Sequence, residues 1–356
     1  MKTGAMMKLS DKVRRVLITI LKICLVIALF WYMVDIGLIS PKHIKGLFTI
    51  ELLPAVGLAA LTILTSFALA ALRQKILLET IPIRLSFSQS FYLVYVGAFF
   101  NNILPGATGG DVTRMYLLGK ENRGAISNIA GFVLFDRVIG FSTIALMAAF
   151  AVGYTVAWEA ARLHAACTGL LVGVFLACLA PVCFFAALFF ARIPFVRNLG
   201  RKVFSMAPKS AALVNFFLTL EGFSQKKGVV ARAFGISLLS FAAQLIGVAA
   251  LSRFMFGWGS VYPALVATPL VMISSIIPLT PGNIGGAEYL SGILWQLFGQ
   301  DGGATMLASW RLISVILSLF GGVLYLFKFR APDFSDEGPR IPSVPGLIPE
   351  PRKVPE

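Results

Sequence analysis

The chain has 356 residues, 58% hydrophobic and only 13% charged, and its mean hydropathy is +0.84. A soluble domain carries about 25% charged residues, so a water-soluble globule is excluded and an integral membrane protein is expected. The net charge of +15, from 31 basic against 16 acidic residues, is accounted for by basic cytoplasmic loops rather than by nucleic acid.

Residues 1–15 form a basic N-terminus that runs into a long apolar stretch without a small-residue cleavage site, which reads as an uncleaved signal-anchor. A span needs about 20 apolar residues to cross roughly 30 Å of hydrocarbon. Six stretches qualify, at 16–39, 52–72, 125–152, 165–190, 233–256 and 304–327, within a bundle covering 16–328. Two more apolar regions, 86–118 and 260–298, each contain a break with the pattern P-G-x-x-G-G, at Pro105 to Gly110 and at Pro281 to Gly286. Asp111 directly follows the first break and Glu288 closely follows the second.

Charge decides how these broken regions are placed. With the N-terminus in the cytoplasm and both regions read as re-entrant hairpins, 23 basic residues fall inside and 3 outside, namely Lys42, Lys45 and Arg162. Reading both as full spans turns the basic stretch 192–232 outward, against the positive-inside rule. The expected fold is therefore all-α and polytopic, with six full spans and two re-entrant helical hairpins entering from opposite sides. That is an inverted-topology repeat. The next helices agree: Arg137 lies 27 residues beyond Gly110, and Arg311 lies 25 beyond Gly286. Residues 208–224 read as an interfacial amphipathic helix. The segment 329–356 is a disordered cytoplasmic tail, with seven prolines after Arg330.

Irregular backbone at membrane depth survives only inside protein or beside water. Each break is followed by a helix N-terminus whose free N–H groups and positive dipole end suit an anion such as a lipid phosphate. Gly109, Gly110, Gly285 and Gly286 would let a headgroup approach, and the two ends would meet near the midplane. Close helix packing through small residues is the other use of such glycines. Six ions sit within or beside apolar runs: Asp111, Arg114, Asp136, Arg137, Glu288 and Arg311. A charge at the bilayer centre costs about 2.5–3.5 kcal/mol on insertion scales, so each needs a partner. Two readings stay open. The ions pair among themselves, Asp111 with Arg114 or Arg137 and Glu288 with Arg311. Otherwise the arginine forks, Arg137 and Arg311 foremost, bind a phosphate, with Asp111, Asp136 and Glu288 as capping or coupling partners. Asn101 and Asn102 either satisfy freed carbonyls or join a polar site. Lys22 and Arg253 are expected to snorkel.

Other chemistry is thin. The cysteines (Cys24, Cys167, Cys178, Cys183) lie in apolar runs, and the two histidines, His43 and His164, have no metal-ligand spacing. There is no Walker A sequence, Rossmann fingerprint or nucleophile elbow. No metal and no cofactor are expected.

The motif Asn102-x-x-Leu-Pro-Gly-x-x-Gly-Gly-Asp-x-x-Arg114, the Asp136-Arg137 pair and Pro278-x-x-Pro-Gly-x-x-Gly-Gly-x-Glu288 resemble the flippase-like family, also called the lysylphosphatidylglycerol synthase transmembrane-region family. The resemblance covers about residues 10–330. It implies a multi-pass protein of the bacterial inner membrane, with both termini cytoplasmic, that moves lipids or lipid-linked intermediates between leaflets. Its best-known relatives carry an aminoacyl-transferase domain. The chain ends shortly after its last apolar stretch, so no synthase activity is expected, and Ala287 stands where many relatives have a cation. A translocator of a lipid with an anionic headgroup is the first functional expectation. A non-transporting partner or regulatory subunit of a lipid- or glycan-modifying enzyme is the alternative. Oligomeric state is left open.

Overall fold

The protein is described from a computed structural model, which covers residues 39–81, 83–103, 109–122, 126–159, 226–274 and 285–326 together with a few isolated positions. The expected spans 16–39 and 165–190 lie almost wholly outside the described residues. So do Lys22, the interfacial helix 208–224, the tail 329–356 and the Pro105 and Pro281 turns.

The described residues form nine α-helices and no strand. We number them α1 (Pro41–Gly46), α2 (Leu53–Leu78), α3 (Phe87–Ile103), α4 (Gly109–Glu121), α5 (Ile126–Glu159), α6 (Lys227–Phe256), α7 (Val261–Ser274), α8 (Gly286–Gln296) and α9 (Gly303–Leu326). Four of them, α2, α5, α6 and α9, are long and apolar enough to cross a membrane, so the chain is a polytopic helical membrane protein. Their outward residues are apolar too, among them Leu61, Phe150, Leu239, Ile246 and Phe320. That is what a lipid-facing surface requires, and it leaves these helices without a polar face. At the end of α6 the guanidinium of Arg253 lies 3.7 Å over the ring of Trp258, which is 71% exposed. This is the aromatic and cationic dressing of an interface, consistent with a snorkelling Arg253.

Each broken region contributes two helices to the described residues, α3 and α4 in the first and α7 and α8 in the second. In the first, Gly110 sits against Gly97 and Asn101, and Arg114 against Gly97, so α3 and α4 run antiparallel. In the second, α7 and α8 pack together, sharing an apolar cluster of Val271, Ala287 and Leu307 against which Leu290 and Leu294 pack.

The centre of the bundle is the antiparallel pair α2 and α6. Its contacts run in opposite chain directions: Thr80 with Lys226, Arg73 with Ser237, Ser66 with Ser240, Thr62 with Gly247. Ser66 and Ser240 are 174 residues apart and hydrogen-bonded hydroxyl to hydroxyl at 2.9 Å, and the same offset separates Arg137 from Arg311. Helices α2–α5 and α6–α9 have matching neighbours throughout: α3 packs on α9 as α7 packs on α5, and α2 on α9 as α6 on α5. Exchanging the two halves therefore maps the arrangement onto itself about the serine pair. The structural unit is a long helix, a helix pair and a second long helix, larger by one helix than the hairpin-plus-helix unit legible in the sequence. Two cores follow this division. One surrounds Phe132, Phe135 and Leu93 at the Arg73 end of α2, and the other surrounds Trp295, Ala59 and Leu251 at its opposite end.

The central contact makes a testable difference between two glycines of one helix. A Cβ on Gly247 would lie 2.1 Å from Thr62 Oγ1 and 2.8 Å from the Trp310 ring, whereas one on Gly235 meets nothing within 4 Å. Gly235→Ala is expected to stabilise by about 0.5–1 kcal/mol through helix propensity. Gly247→Ala is expected to destabilise by about 1–3 kcal/mol through overpacking. Thermal unfolding in detergent should show the opposite signs; equal shifts would refute the close approach.

Candidate functional site

Five ions converge where α2, α4 and α5 meet. Asp111 is the third residue of α4, and its carboxylate accepts from Arg114, one turn along, and from Nε of Arg137 on α5. Asp136, next in sequence to Arg137, accepts from Nε of Arg73 at 2.8 Å and from Nη1 of Arg114 at 3.4 Å. Arg114 thus bridges both carboxylates. Arg73 also donates to Ser237 Oγ at 2.5 Å, tying the group to α6. The carboxylates are the deeper partners, with side-chain exposures of 8% and 3%, and Arg137 is the most open of the arginines at 26%. Three guanidinium groups face two carboxylates among these residues. Neighbouring Gln74 is fully buried. Its Oε1 accepts from Arg114 at 3.1 Å, while its Nε2 has no hydrogen-bond partner.

The sequence explains why the ions meet. Asp111 at the first turn of α4 complements the helix dipole and stays close to the free N–H groups. The pair Asp136-Arg137 projects from neighbouring positions on α5, so one points toward α2 and the other toward α4. Asn101, near the end of α3, accepts from the Gly110 N–H at 2.7 Å, so it satisfies an amide rather than a carbonyl. Asn102 points elsewhere and donates to Ser318 on α9 at 2.9 Å. Gly109 supplies a carbonyl to the Thr113 hydroxyl at 2.9 Å.

The second half is built differently. Glu288 is fully buried; one oxygen accepts from the Gly285 N–H at 2.6 Å and the other lies 2.8 Å from Arg311. The first contact is the reach-back arm of a capping box at the start of α8, which begins at Gly286. Gly285 has φ of +89°, a conformation open to glycine and costly for other residues. The offset of 174 residues places Gly247 opposite Arg73 and Trp310 opposite Asp136. An ion pair in one half is thus replaced in the other by a tryptophan ring packed into a glycine. Three arginines and two carboxylates meet on one side, and Glu288 faces Arg311 on the other.

The two ion groups also stand apart. Arg73 lies seven residues beyond Ser66 along α2, and Gly247, which holds Trp310 beside Arg311, lies seven beyond Ser240 along α6. At 1.5 Å per residue each group is displaced by about 10 Å from the serine pair, in opposite directions. The helix N-termini of α4 and α8 stack on either side of the centre and do not meet in it.

Every ion expected from the sequence is therefore in one of the two groups, and the paired arrangement is the one found. Sequence reasoning missed Arg73 and Gln74. They follow an apolar run and precede Lys75, so they read as the start of a basic loop. The signal that could have found them is Leu77-Leu78 just beyond: both are fully buried, and α2 continues through the polar step to Leu78.

Comparison with known proteins gives the following. The family profile described as lysylphosphatidylglycerol synthase TM region matches residues 19–322. A UPF0104 membrane protein of Pyrococcus horikoshii is 23% identical over 293 residues, covering 76% of this chain and 85% of the relative. A UPF0104 membrane protein of Methanothermobacter thermautotrophicus is 26% identical over 249 residues, covering 65% and 72%. No solved structure matches the chain.

Proposed function

The chain belongs to the lysylphosphatidylglycerol synthase transmembrane-region family, and from that footing we propose that it translocates a lipid with an anionic headgroup between the leaflets of the bacterial inner membrane. The observation that carries this reading is the gathering of three arginines, Arg73, Arg114 and Arg137, with Asp111 and Asp136 at the first turn of α4 inside an apolar bundle. Arginine forks bind phosphate in bidentate fashion, Gln74 Nε2 offers a further donor, and the N-terminus of α4 adds its dipole.

The exchange relation between α2–α5 and α6–α9, with α2 and α6 antiparallel, supports an inverted-topology repeat. It also supports the reading of both helix pairs as re-entrant hairpins among six spans. With the basic loops inside, the charged cluster faces the cytoplasmic leaflet and the Glu288–Arg311 pair the outer one. Rocking of one half against the other about Ser66 and Ser240 would alternate access to the arginines. The protein acts in this reading as a carrier and not as an enzyme.

The test is a headgroup-accessibility assay in reconstituted vesicles of phosphatidylglycerol and phosphatidylethanolamine. The wild type is expected to speed leaflet exchange of phosphatidylglycerol, and Arg137→Ala to abolish it while remaining folded, because Arg114 still holds Asp111. Unaltered exchange rates with lipid binding intact would remove the transport reading in favour of a non-transporting partner of a lipid-modifying enzyme.

A further inference from the structure

A glutamine with half of its amide unused lies inside the ion cluster. Gln74, on α2, is fully buried. Its Oε1 accepts from Nη1 of Arg114 at 3.1 Å, and its Nε2, the other arm of the same planar amide, has no hydrogen-bond partner among the described residues. Turning the amide over does not help, because it would set two donors, the amide N–H and the guanidinium, against each other. A buried donor without an acceptor destabilises the fold, and packing does not demand one here. The offset of 174 residues places Val248 at the counterpart of Gln74, and Val248 fills that position fully buried with no polar side-chain atom.

The unused donor sits at a loose joint of the cluster. Nη1 of Arg114 is shared between Gln74 Oε1 at 3.1 Å and Asp136 Oδ2 at 3.4 Å, whereas N–H···O bonds centre near about 2.9–3.0 Å. Arg73 holds Asp136 at 2.8 Å, and Arg114 is held separately by Asp111. Opening the 3.4 Å contact therefore leaves each partner with another ion of opposite charge. Three helices meet at this joint: α2 brings Gln74, α4 brings Arg114 and α5 brings Asp136. Arg114 keeps 13% of its side chain exposed and Gln74 none, so an arriving ligand meets the guanidinium first.

We propose that one anionic oxygen of a phosphate enters this joint, taking the place of Asp136 on Arg114, and accepts from Arg114 Nη1 and Gln74 Nε2 together. A neutral amide suits a site that is empty for part of a cycle. It gives the oxygen a bond when the site is filled, and leaving it unpaired costs less than leaving a buried cation unpaired. The phosphate is that of a lipid headgroup or a free phosphate ion, since both present the same oxygen. The assignment rests on the headgroup reading above for the lipid as source. It goes beyond that reading in fixing which donors take the oxygen and which contact gives way.

The experiment uses the full chain in detergent, labelled with nitrogen-15 glutamine. The Gln74 side-chain amide signal is identified by its absence in Gln74→Met, or in Gln74→Leu if the methionine variant does not fold. Inorganic phosphate and a short-chain phosphatidylglycerol are titrated separately, with chloride at equal ionic strength as the reference. At least one of them is expected to move a Gln74 amide proton downfield and saturably, and to bind the variant several-fold more weakly. A response to phosphatidylglycerol, with or without one to phosphate, assigns the headgroup as the source. A response to phosphate alone upholds the site and removes the lipid. A signal unmoved by both means that the donor serves a water, and overturns the site, as does wild-type affinity in the variant. A moved signal in a protein that speeds no leaflet exchange upholds the site and removes transport; faster exchange with an unmoved signal does the reverse.

Discussion

Asp111→Ala is expected to lower folding stability by about 3–5 kcal/mol and to abolish lipid exchange. The magnitude is that of removing one partner from a buried ion pair, which strands the other charge. Here the effect is compounded, because Asp111 is the acceptor for both Arg114 and Arg137. Its loss takes a carboxylate from both, in surroundings where charges are weakly screened. Asp111→Asn keeps the shape and one acceptor and should fall between the wild type and alanine. Adding Arg114→Leu to Asp111→Ala removes one of the stranded cations and should recover part of the lost stability, a coupling that a double-mutant cycle resolves. Thermal unfolding in detergent measures all three. A wild-type melting curve for Asp111→Ala would mean that the cluster does not hold the bundle together.

Gly110→Ala should be nearly as damaging, for a steric reason. A Cβ there would lie 2.2 Å from the Gly97 carbonyl oxygen and 2.8 Å from the Asn101 amide. The nearest obstacle is backbone, so no rotamer change relieves it, and α3 and α4 must move apart. That separation breaks the Asn101 to Gly110 hydrogen bond and shifts Asp111, the next residue, away from Arg137. Overpacking of this kind costs about 1–3 kcal/mol or more, and exchange should be lost even at temperatures where the protein is still folded. Gly119→Ala on the same helix is the control. Its Cβ would meet only Ile126 Cγ1 at 3.6 Å, an ordinary contact, so its stability should be unchanged or slightly raised. Equal behaviour of the two variants would show that the helix pair has slack at Gly110.

These two variants separate what the glycine and the acid of one motif do. In the first half, P-G-x-x-G-G-D brings backbone close enough for an amide-to-asparagine bond and then places a carboxylate among arginines. In the second, the same glycines lead to Glu288, which turns back on the Gly285 amide and takes a single arginine. The motif is common to both halves, and the chemistry belongs to the first.

Much of this was legible in order of residues. Apolar runs of span length gave the long helices that lie among the described residues, because the hydrocarbon core sets a minimum length and admits few charges. That two further apolar regions would each supply a pair of shorter helices was legible because proline and glycine clusters interrupt those runs at matching places. Asp111, Arg114, Asp136, Arg137, Glu288 and Arg311 stood out because an ion inside an apolar run needs a partner. Sequence alone left open which partners they take. It also could not show that Arg73 and Gln74 belong with them, since a basic residue at the end of an apolar run has the same appearance in a loop and in a core.

What only the tertiary structure decided is the inequality of the halves. The sequence displays two copies of a motif and so suggests two like sites that meet at the centre. Packing places them on either side of Ser66 and Ser240, gathers three arginines and two carboxylates at one, and fills the other with Trp310 against Gly247. The physical reason is that periodicity and composition fix which segments enter the membrane, whereas partner choice depends on side chains brought together from helices far apart in the chain, and a local pattern carries no record of that distance.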